Sequence, residues 1–93
     1  MILGFRSSKT QKIWLGEVSR RLPGAIQSVA RRKLRYLNSA RSLADLRAPP
    51  GNMLEALKGN RAGQHSIRIN EQWRICFRWS AAGPGDVEVI DYH

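Results

Sequence analysis

The chain has 93 residues, which is enough for one domain, and its 42% hydrophobic content is ordinary for a globular protein. Sixteen Lys and Arg residues against seven Asp and Glu residues give a formal net charge of +9. The single cysteine excludes an internal disulfide framework and a thiolate metal cluster, and no apolar run approaches the roughly 20 residues of a membrane-spanning helix.

The first half of the chain predicts a short strand over residues 1–5 and then a helical hairpin. Ser8 and Gln11 have the spacing of a capping box, which predicts a first helix over residues 9–20. One face of that helix is expected to carry Trp14, Val18 and Leu22.

Pro23 suits the first turn of a second helix. Apolar residues recur there at intervals of three and four, at Ile26, Val29, Ala30, Leu34 and Leu37. The outer face is expected to carry Arg31, Arg32, Lys33 and Arg35. Such a charged face is usually solvated, and docking to an RNA backbone is the alternative interpretation.

After Pro50 the apolar period changes to two, which is typical of strands. The loops are expected at residues 59–63 and 81–85. The predicted strands cover residues 54–57, 65–69, 73–79 and 86–92. Helices followed by a meander predict an α+β fold, with the N-terminal strand and two-helix hairpin packed on one face of a twisted antiparallel sheet. The other face is expected to be concave and lined by arginines.

Two residues of the strand at 73–79 bear on chemistry. Arg74 lies between apolar residues, where a charge needs a partner. That partner can be Glu88 or Asp91 in a salt bridge, or a phosphate received by a rigidly held guanidinium, and the pattern alone favours neither. Cys76 is expected to be a buried free thiol rather than a nucleophile.

The charge is unevenly distributed. All sixteen basic residues and only four acids fall in residues 1–80, whereas residues 81–93 contain three acids and no Lys or Arg. A field this positive and rich in arginine favours nucleic acid or an acidic protein as the partner, over a merely solvated basic surface. The lone cysteine and the absence of a signal peptide favour the cytoplasm.

Four stretches resemble, in order, the HigB-like host-inhibition toxins, also called plasmid-maintenance killer proteins, of the RelE superfamily. They are LKGNRAG at 57–63, SIRI at 66–69, QWRICF at 72–77 and VIDYH at 89–93. The resemblance covers essentially the whole chain as a single toxin domain over residues 1–93, with a microbial-RNase-like α+β fold. It implies a metal-independent endoribonuclease that cleaves mRNA in the ribosomal A site without a cofactor. The implied partners are the ribosome with its mRNA and a HigA-like helix-turn-helix antitoxin, through which alone operator DNA would be contacted, with no role for a membrane.

The resemblance also assigns residues. The family's active-site positions match Arg74, Asp91, Tyr92 and His93, and Glu55 stands where some members have a catalytic histidine. The basic loop matches Lys58 and Arg61. The remaining candidate RNA contacts are Arg68, Arg31, Arg32 and Arg35. His65 is not at the family position and is expected to cap a strand or to hydrogen-bond locally.

Metal-free RNA cleavage needs a base for the 2′-hydroxyl, a cation for the phosphate and an acid for the 5′-oxygen. Glu55 or Asp91 is the candidate base, and His93 is the candidate acid. Asp91 and His93 are also able to exchange roles. The same positive surface also fits a non-catalytic RNA- or DNA-binding module, or an inactivated toxin-like partner of a regulator.

Overall fold

The computed structural model describes residues 1–20 and 22–91, and within them two helices pack on one face of a four-stranded antiparallel sheet. The helices are α1 (Ser8–Trp14) and α2 (Gly24–Ser39). The strands, in both chain and sheet order, are β1 (Glu55–Ala56), β2 (His65–Arg68), β3 (Trp73–Ser80) and β4 (Gly83–Asp91). The predicted α+β class is confirmed. No described helix is long and apolar enough to cross a membrane.

Helix α1 is shorter than predicted, and the predicted capping box is wrong. Its N-cap residue is Ser7, and no side-chain hydrogen bond caps the helix. Gly16 has a φ of +84°, a conformation that costs glycine little, and it turns the chain out of the helix. The redirected segment leaves Val18 76% exposed, whereas Ile13 takes the buried position on α1. The predicted apolar face over residues 9–20 therefore does not form.

Helix α2 confirms the predicted apolar face, since Ile26, Ala30, Leu34 and Leu37 are buried and Val29 packs against them. The predicted outer face is wrong at Lys33, which is only 6% exposed. Its Nζ donates a hydrogen bond of 2.6 Å to Oδ1 of Asn52. Helical periodicity alone predicted that Lys33 lies on the exposed face with its arginine neighbours. The hydrogen bond to Asn52, from another part of the chain, instead stabilises the Lys33 amine in a buried position.

Strand β3 alternates as predicted, with Ile75 and Phe77 fully buried against the helices. Trp73 and Trp79 pack at the margins of the same core, so this face of β3 belongs to the core. Each fully buried side chain of this size contributes about 1.5–3 kcal/mol by leaving water. Across the β3–β4 turn Ser80 pairs with Gly83, so the connecting loop is shorter than the predicted 81–85.

Residues 1–5 do not form the predicted strand, but they lie parallel to β4. Phe5 makes an isolated bridge to Val87, and the amide of Arg6 donates to the Val87 carbonyl at 3.0 Å. A Cβ at Gly83 would lie 2.5 Å from the carbonyl oxygen of Met1, so only glycine lets the chain start approach this closely. The N-terminal segment thus extends the sheet beyond β4 by one irregular strip.

Candidate active site

Arg74 lies near the middle of the sheet, on the face turned away from the helices. Its neighbour Ile75 points into the core, and strand alternation places Arg74 on the other side. Arg74 is 8% exposed. Its Nε donates to Oγ of Ser66 and its Nη2 donates to the carbonyl of Met53, both at 2.7 Å. These two bonds hold the guanidinium in a fixed plane.

The strand register assigns the residues that share this face. Glu55 pairs with Ser66, Ser66 with Cys76, Cys76 with Glu88, and Arg68 with Arg74. Paired residues of an antiparallel sheet point to the same side. We therefore define the Arg74 face as Glu55, Ser66, Arg68, Arg74, Cys76 and Glu88.

The carbonyl that orients Arg74 belongs to a strained and well-anchored residue. Met53 has a φ of +45°, in the left-handed region, and follows Asn52, which is fully buried. The Asn52 Nδ2 donates to the carbonyls of Leu46 and Ala48, each at 3.1 Å, while its Oδ1 accepts from Lys33. A chain of bonds thus connects α2 through residues 52 and 53 to the Arg74 guanidinium.

Lys33 and its surroundings link two of the predicted RNA contacts. Burial is the main cause that lowers the pKa of Lys33 from 10.5, and the charges of Arg32 and Arg68 lower this pKa further. Arg32 on α2 and Arg68 on β2 therefore lie close enough to act on one amine. Nη1 of Arg68 also donates to the Met53 sulfur at 3.3 Å, at the rim of the Arg74 face.

The other two helix arginines differ from this pair. The Nε of Arg31 donates to the carbonyl of Ile13 at 3.1 Å, which ties α2 to the end of α1. Arg35 is exposed on α2, a helix that packs on the opposite side of the sheet from Arg74. Arg31 is therefore engaged away from the Arg74 face, whereas Arg35 is an exposed arginine of the helix surface.

Arg61 reaches the Arg74 face from the basic loop. Its Nη1 donates to Oε1 of Glu88 at 3.0 Å and to Oε1 of Gln64 at 3.2 Å. Glu88, one of the two acids considered as partners for Arg74, is thus engaged by Arg61. Lys58 precedes the 3₁₀ turn Gly59–Arg61 and is exposed, so its amine is available to a ligand.

Two acids were candidates for the general base, and the register separates them. Glu55 is exposed on the Arg74 face, opposite Ser66. Asp91 is opposite Trp73, whose side of the sheet packs on the core, and its Oδ2 accepts from Nε2 of Gln72 at 3.0 Å. Register therefore places Glu55, and not Asp91, on the same face of the sheet as Arg74. Tyr92 and His93 lie outside the described residues.

Cys76 and His65 contribute no nucleophile. Cys76 is a free thiol with no exposed surface, as predicted, and burial raises its pKa from 9.0 to about 11. His65 stacks on Phe77, with ring centroids 6.3 Å apart. Its buried Nδ1 has no hydrogen-bond partner among the described residues, so the predicted local hydrogen bond is wrong for that atom. The described part of the chain holds no group of three His, Cys, Asp or Glu side chains arranged to bind a metal.

Sequence reasoning missed Arg6. Its backbone lies beside Val87, and alternation along both segments places its side chain on the same side as Glu88. Arg6 lines a surface cavity of about 350 Å³ together with Asn60, Arg61, Gln64 and Glu88. Arg6 reaches this position because the segment before α1 runs parallel to β4. In the sequence, only the apolar pattern of residues 1–5 indicated that this segment joins the sheet.

Known proteins resemble this chain along most of its length. The family described as "RelE-like toxin of type II toxin-antitoxin system HigB" matches residues 4–93. Toxin HigB-1 of Vibrio cholerae is 40% identical over 80 residues, which cover 85% of this chain and 84% of that protein. An uncharacterized protein of Haemophilus influenzae is 33% identical over 64 residues, or 69% of this chain and 63% of that protein. The family match spans every candidate residue discussed above.

Proposed function

The chain belongs to the HigB-like, RelE-like toxins of type II toxin–antitoxin systems, and we propose that it is a metal-independent endoribonuclease that cleaves mRNA on the ribosome. The observation that carries this proposal is the fixed guanidinium of Arg74, buried and hydrogen-bonded on a face that also carries an exposed carboxylate. Ribosomes lie in the cytoplasm, so the proposed activity places the protein there.

Arg74 stabilises the phosphate as its charge grows in the transition state. Two of its nitrogens are held by protein oxygens, so the guanidinium needs little reorganisation when the phosphate arrives. Preorganised cations of this kind act strongly because the site is partly shielded from water. Lys58 and Arg68, at the margins of the face, complete the contacts to the RNA backbone.

The acid–base pair consists of Glu55 and His93. Glu55 takes the proton from the 2′-hydroxyl, and His93 returns a proton to the departing 5′-oxygen. Asp91 supports His93 from two residues back along the chain, and Tyr92 orients the phosphate or stacks on a base. The net reaction breaks the bond between phosphorus and the 5′-oxygen and forms one between phosphorus and the 2′-oxygen.

The partner that silences the protein is a HigA-like antitoxin with an acidic contact surface. The net charge of +9 attracts such a surface over a distance of about one Debye length, some 8–10 Å at physiological salt. Association should therefore slow as salt rises. Association kinetics that are independent of salt would contradict this electrostatic account.

Mapping of mRNA 5′ ends tests the proposed activity and separates it from non-catalytic binding. The chain is induced alone and together with its antitoxin, and 5′ ends are mapped genome-wide. New ends within translated codons, absent when antitoxin is present, are expected. Growth arrest without new ends would identify a binding module, and normal growth without antitoxin would identify an inactive protein.

A further inference from the structure

We propose that the cavity lined by Arg6 and Arg61 is a second phosphate subsite, which binds the RNA backbone one nucleotide away from the phosphate held by Arg74. This inference rests on the proposed function for its ligand, a single-stranded RNA. It adds Arg6 and Glu88 to the residues that contact or tune that RNA.

The register separates the two cationic centres. The Nε of Arg74 lies 2.7 Å from Ser66, whereas Nη1 of Arg61 lies 3.0 Å from Glu88. Ser66 and Glu88 flank Cys76 on neighbouring strands, so their backbones are two strand spacings apart, or roughly 10 Å. The two guanidinium groups are thus anchored on residues of different strands, an arrangement that suits two phosphates of one RNA strand.

The cavity has the composition of a backbone-binding site. All five of its lining residues are polar or charged, namely Arg6, Asn60, Arg61, Gln64 and Glu88. A protein segment anchored there would need apolar contacts at its centre, as protein interfaces have. A phosphodiester needs cations and amide donors, which these residues supply. The lining therefore favours RNA over a protein segment.

Arg6 is the cation available to that phosphate. Its side chain is exposed, and no described carboxylate lies within ion-pair distance of it. Its backbone is fixed beside Val87 by the 3.0 Å bond, which anchors the base of the side chain at the edge of the cavity. Arg61, in contrast, is already bonded to Glu88, so its charge is partly neutralised in the free protein.

Glu88 has two opposing effects on this subsite. Its carboxylate positions Arg61, but its charge repels an incoming phosphate. Glu88→Gln keeps an amide oxygen that accepts from Arg61 and removes the negative charge. This substitution should therefore tighten RNA binding, which is the opposite sign from the loss of Arg6.

The test compares oligonucleotides that differ by one nucleotide, and hence by one phosphodiester, and that cannot be cleaved. The probes are 2′-O-methyl UpU, with one phosphodiester, and 2′-O-methyl UpUpU, with two. Each is titrated by NMR into the unsubstituted protein, into Arg6→Gln, into Glu88→Gln, and into Arg41→Gln. Arg41 is exposed in the segment after α2, so its variant has the same change in net charge away from the cavity.

In the wild type and in Arg41→Gln, the second phosphodiester should tighten binding about tenfold, as one added charge-assisted contact does. In Arg6→Gln most of that gain should vanish, and the salt slope for UpUpU should fall by about 1. Glu88→Gln should bind UpUpU about two- to fivefold more tightly, consistent with one partly screened charge contact.

Three results would overturn the subsite. They are an intact gain in Arg6→Gln, equal weakening of both probes in that variant, and weaker UpUpU binding in Glu88→Gln. The absence of any UpUpU binding by the wild type at millimolar concentration would overturn it as well. Because this experiment does not measure cleavage, it is independent of the endonuclease proposal. A protein that binds both probes as expected but never cuts ribosome-bound mRNA would support the subsite and contradict the endonuclease proposal.

Discussion

Replacing Asn52 by alanine should destabilise the protein far more than a typical asparagine substitution. Asn52 has no exposed surface, and its side chain makes three hydrogen bonds, to Lys33, Leu46 and Ala48. Each of the two neutral bonds is worth about 1 kcal/mol, and the bond from the ammonium of Lys33 about 1.5–3 kcal/mol. The expected loss is about 4 kcal/mol, a large part of the roughly 5–15 kcal/mol that holds a domain of this kind folded.

The assay is urea unfolding followed by tryptophan fluorescence, with the free energy of unfolding extrapolated to water. Asn38→Ala is the matched control, because the Asn38 Oδ1 accepts a single bond, of 2.9 Å, from the amide of Ile2. That variant should lose only about 1 kcal/mol. If Asn52→Ala loses no more than Asn38→Ala, the bonds through Asn52 do not anchor residues 52 and 53, and the account of how Arg74 is oriented fails.

The remaining predictions concern four separate features of the chain. Gly16→Ala should lower the free energy of unfolding, measured by thermal denaturation, by about 1 kcal/mol. The added Cβ would meet no atom within 4 Å, but a φ of +84° strains any residue that has a Cβ. Native Cys76 should resist iodoacetamide at pH 8 and react once the protein is unfolded. The contribution of its buried thiol to the free energy of unfolding is complete below pH 9.0 and is lost as the pH rises through about 11. Cys76→Ala should lack that loss when urea unfolding is measured across this pH range. Lys33 has a folded pKa below its unfolded value, so its contribution to stability rises with pH up to 10.5, and Lys33→Met should lack that rise when unfolding is measured between pH 7 and 10.5. Replacing His93 by alanine should abolish mRNA cleavage while changing the free energy of unfolding by less than about 1 kcal/mol, and full cleavage by His93→Ala would remove His93 from the mechanism.

The sequence predicted those elements whose buried residues recur with the helical or the strand period. The spacing of Ile26, Ala30 and Leu34 predicted α2 because one helical face packs on the sheet. The alternation at Ile75 and Phe77 predicted β3 and its buried side for the same reason. Both elements are also long enough for the period to repeat several times.

The first helix shows where periodicity fails. Trp14 and Val18 have helical spacing, but Gly16 between them adopts a left-handed conformation that no residue count reveals. The segment after it is held by Gln27, whose Nε2 donates to the carbonyls of Ser19 at 2.7 Å and Leu22 at 2.9 Å. A contact from the following helix thus overrides the local helical preference.

The motifs supplied candidate residues for the site, but not their arrangement. The motifs placed Arg74, Glu55 and Arg61 in one site, but they did not predict that Ser66 and Met53 hold the guanidinium. They also gave no sign of Arg6, which reaches the face only because residues 1–6 lie along β4. Such relations depend on register between distant segments, which composition and spacing do not encode.

Cleavage of ribosome-bound mRNA by Arg74→Ala tests the central claim most directly. Purified wild type, Arg74→Ala, Arg74→Lys and the control Arg41→Ala are added to ribosomes translating a defined mRNA, and the rate at which new 5′ ends form is measured by primer extension. Arg74→Ala should be about 10²–10³ slower than the wild type, as for the loss of one preorganised transition-state contact. Arg74→Lys should be only partly restored because a point charge replaces the fork, and Arg41→Ala should be unchanged. Circular dichroism and antitoxin binding should confirm that each variant is folded. A folded Arg74→Ala that cuts at the wild-type rate would contradict the assignment of the Arg74 face as the active site.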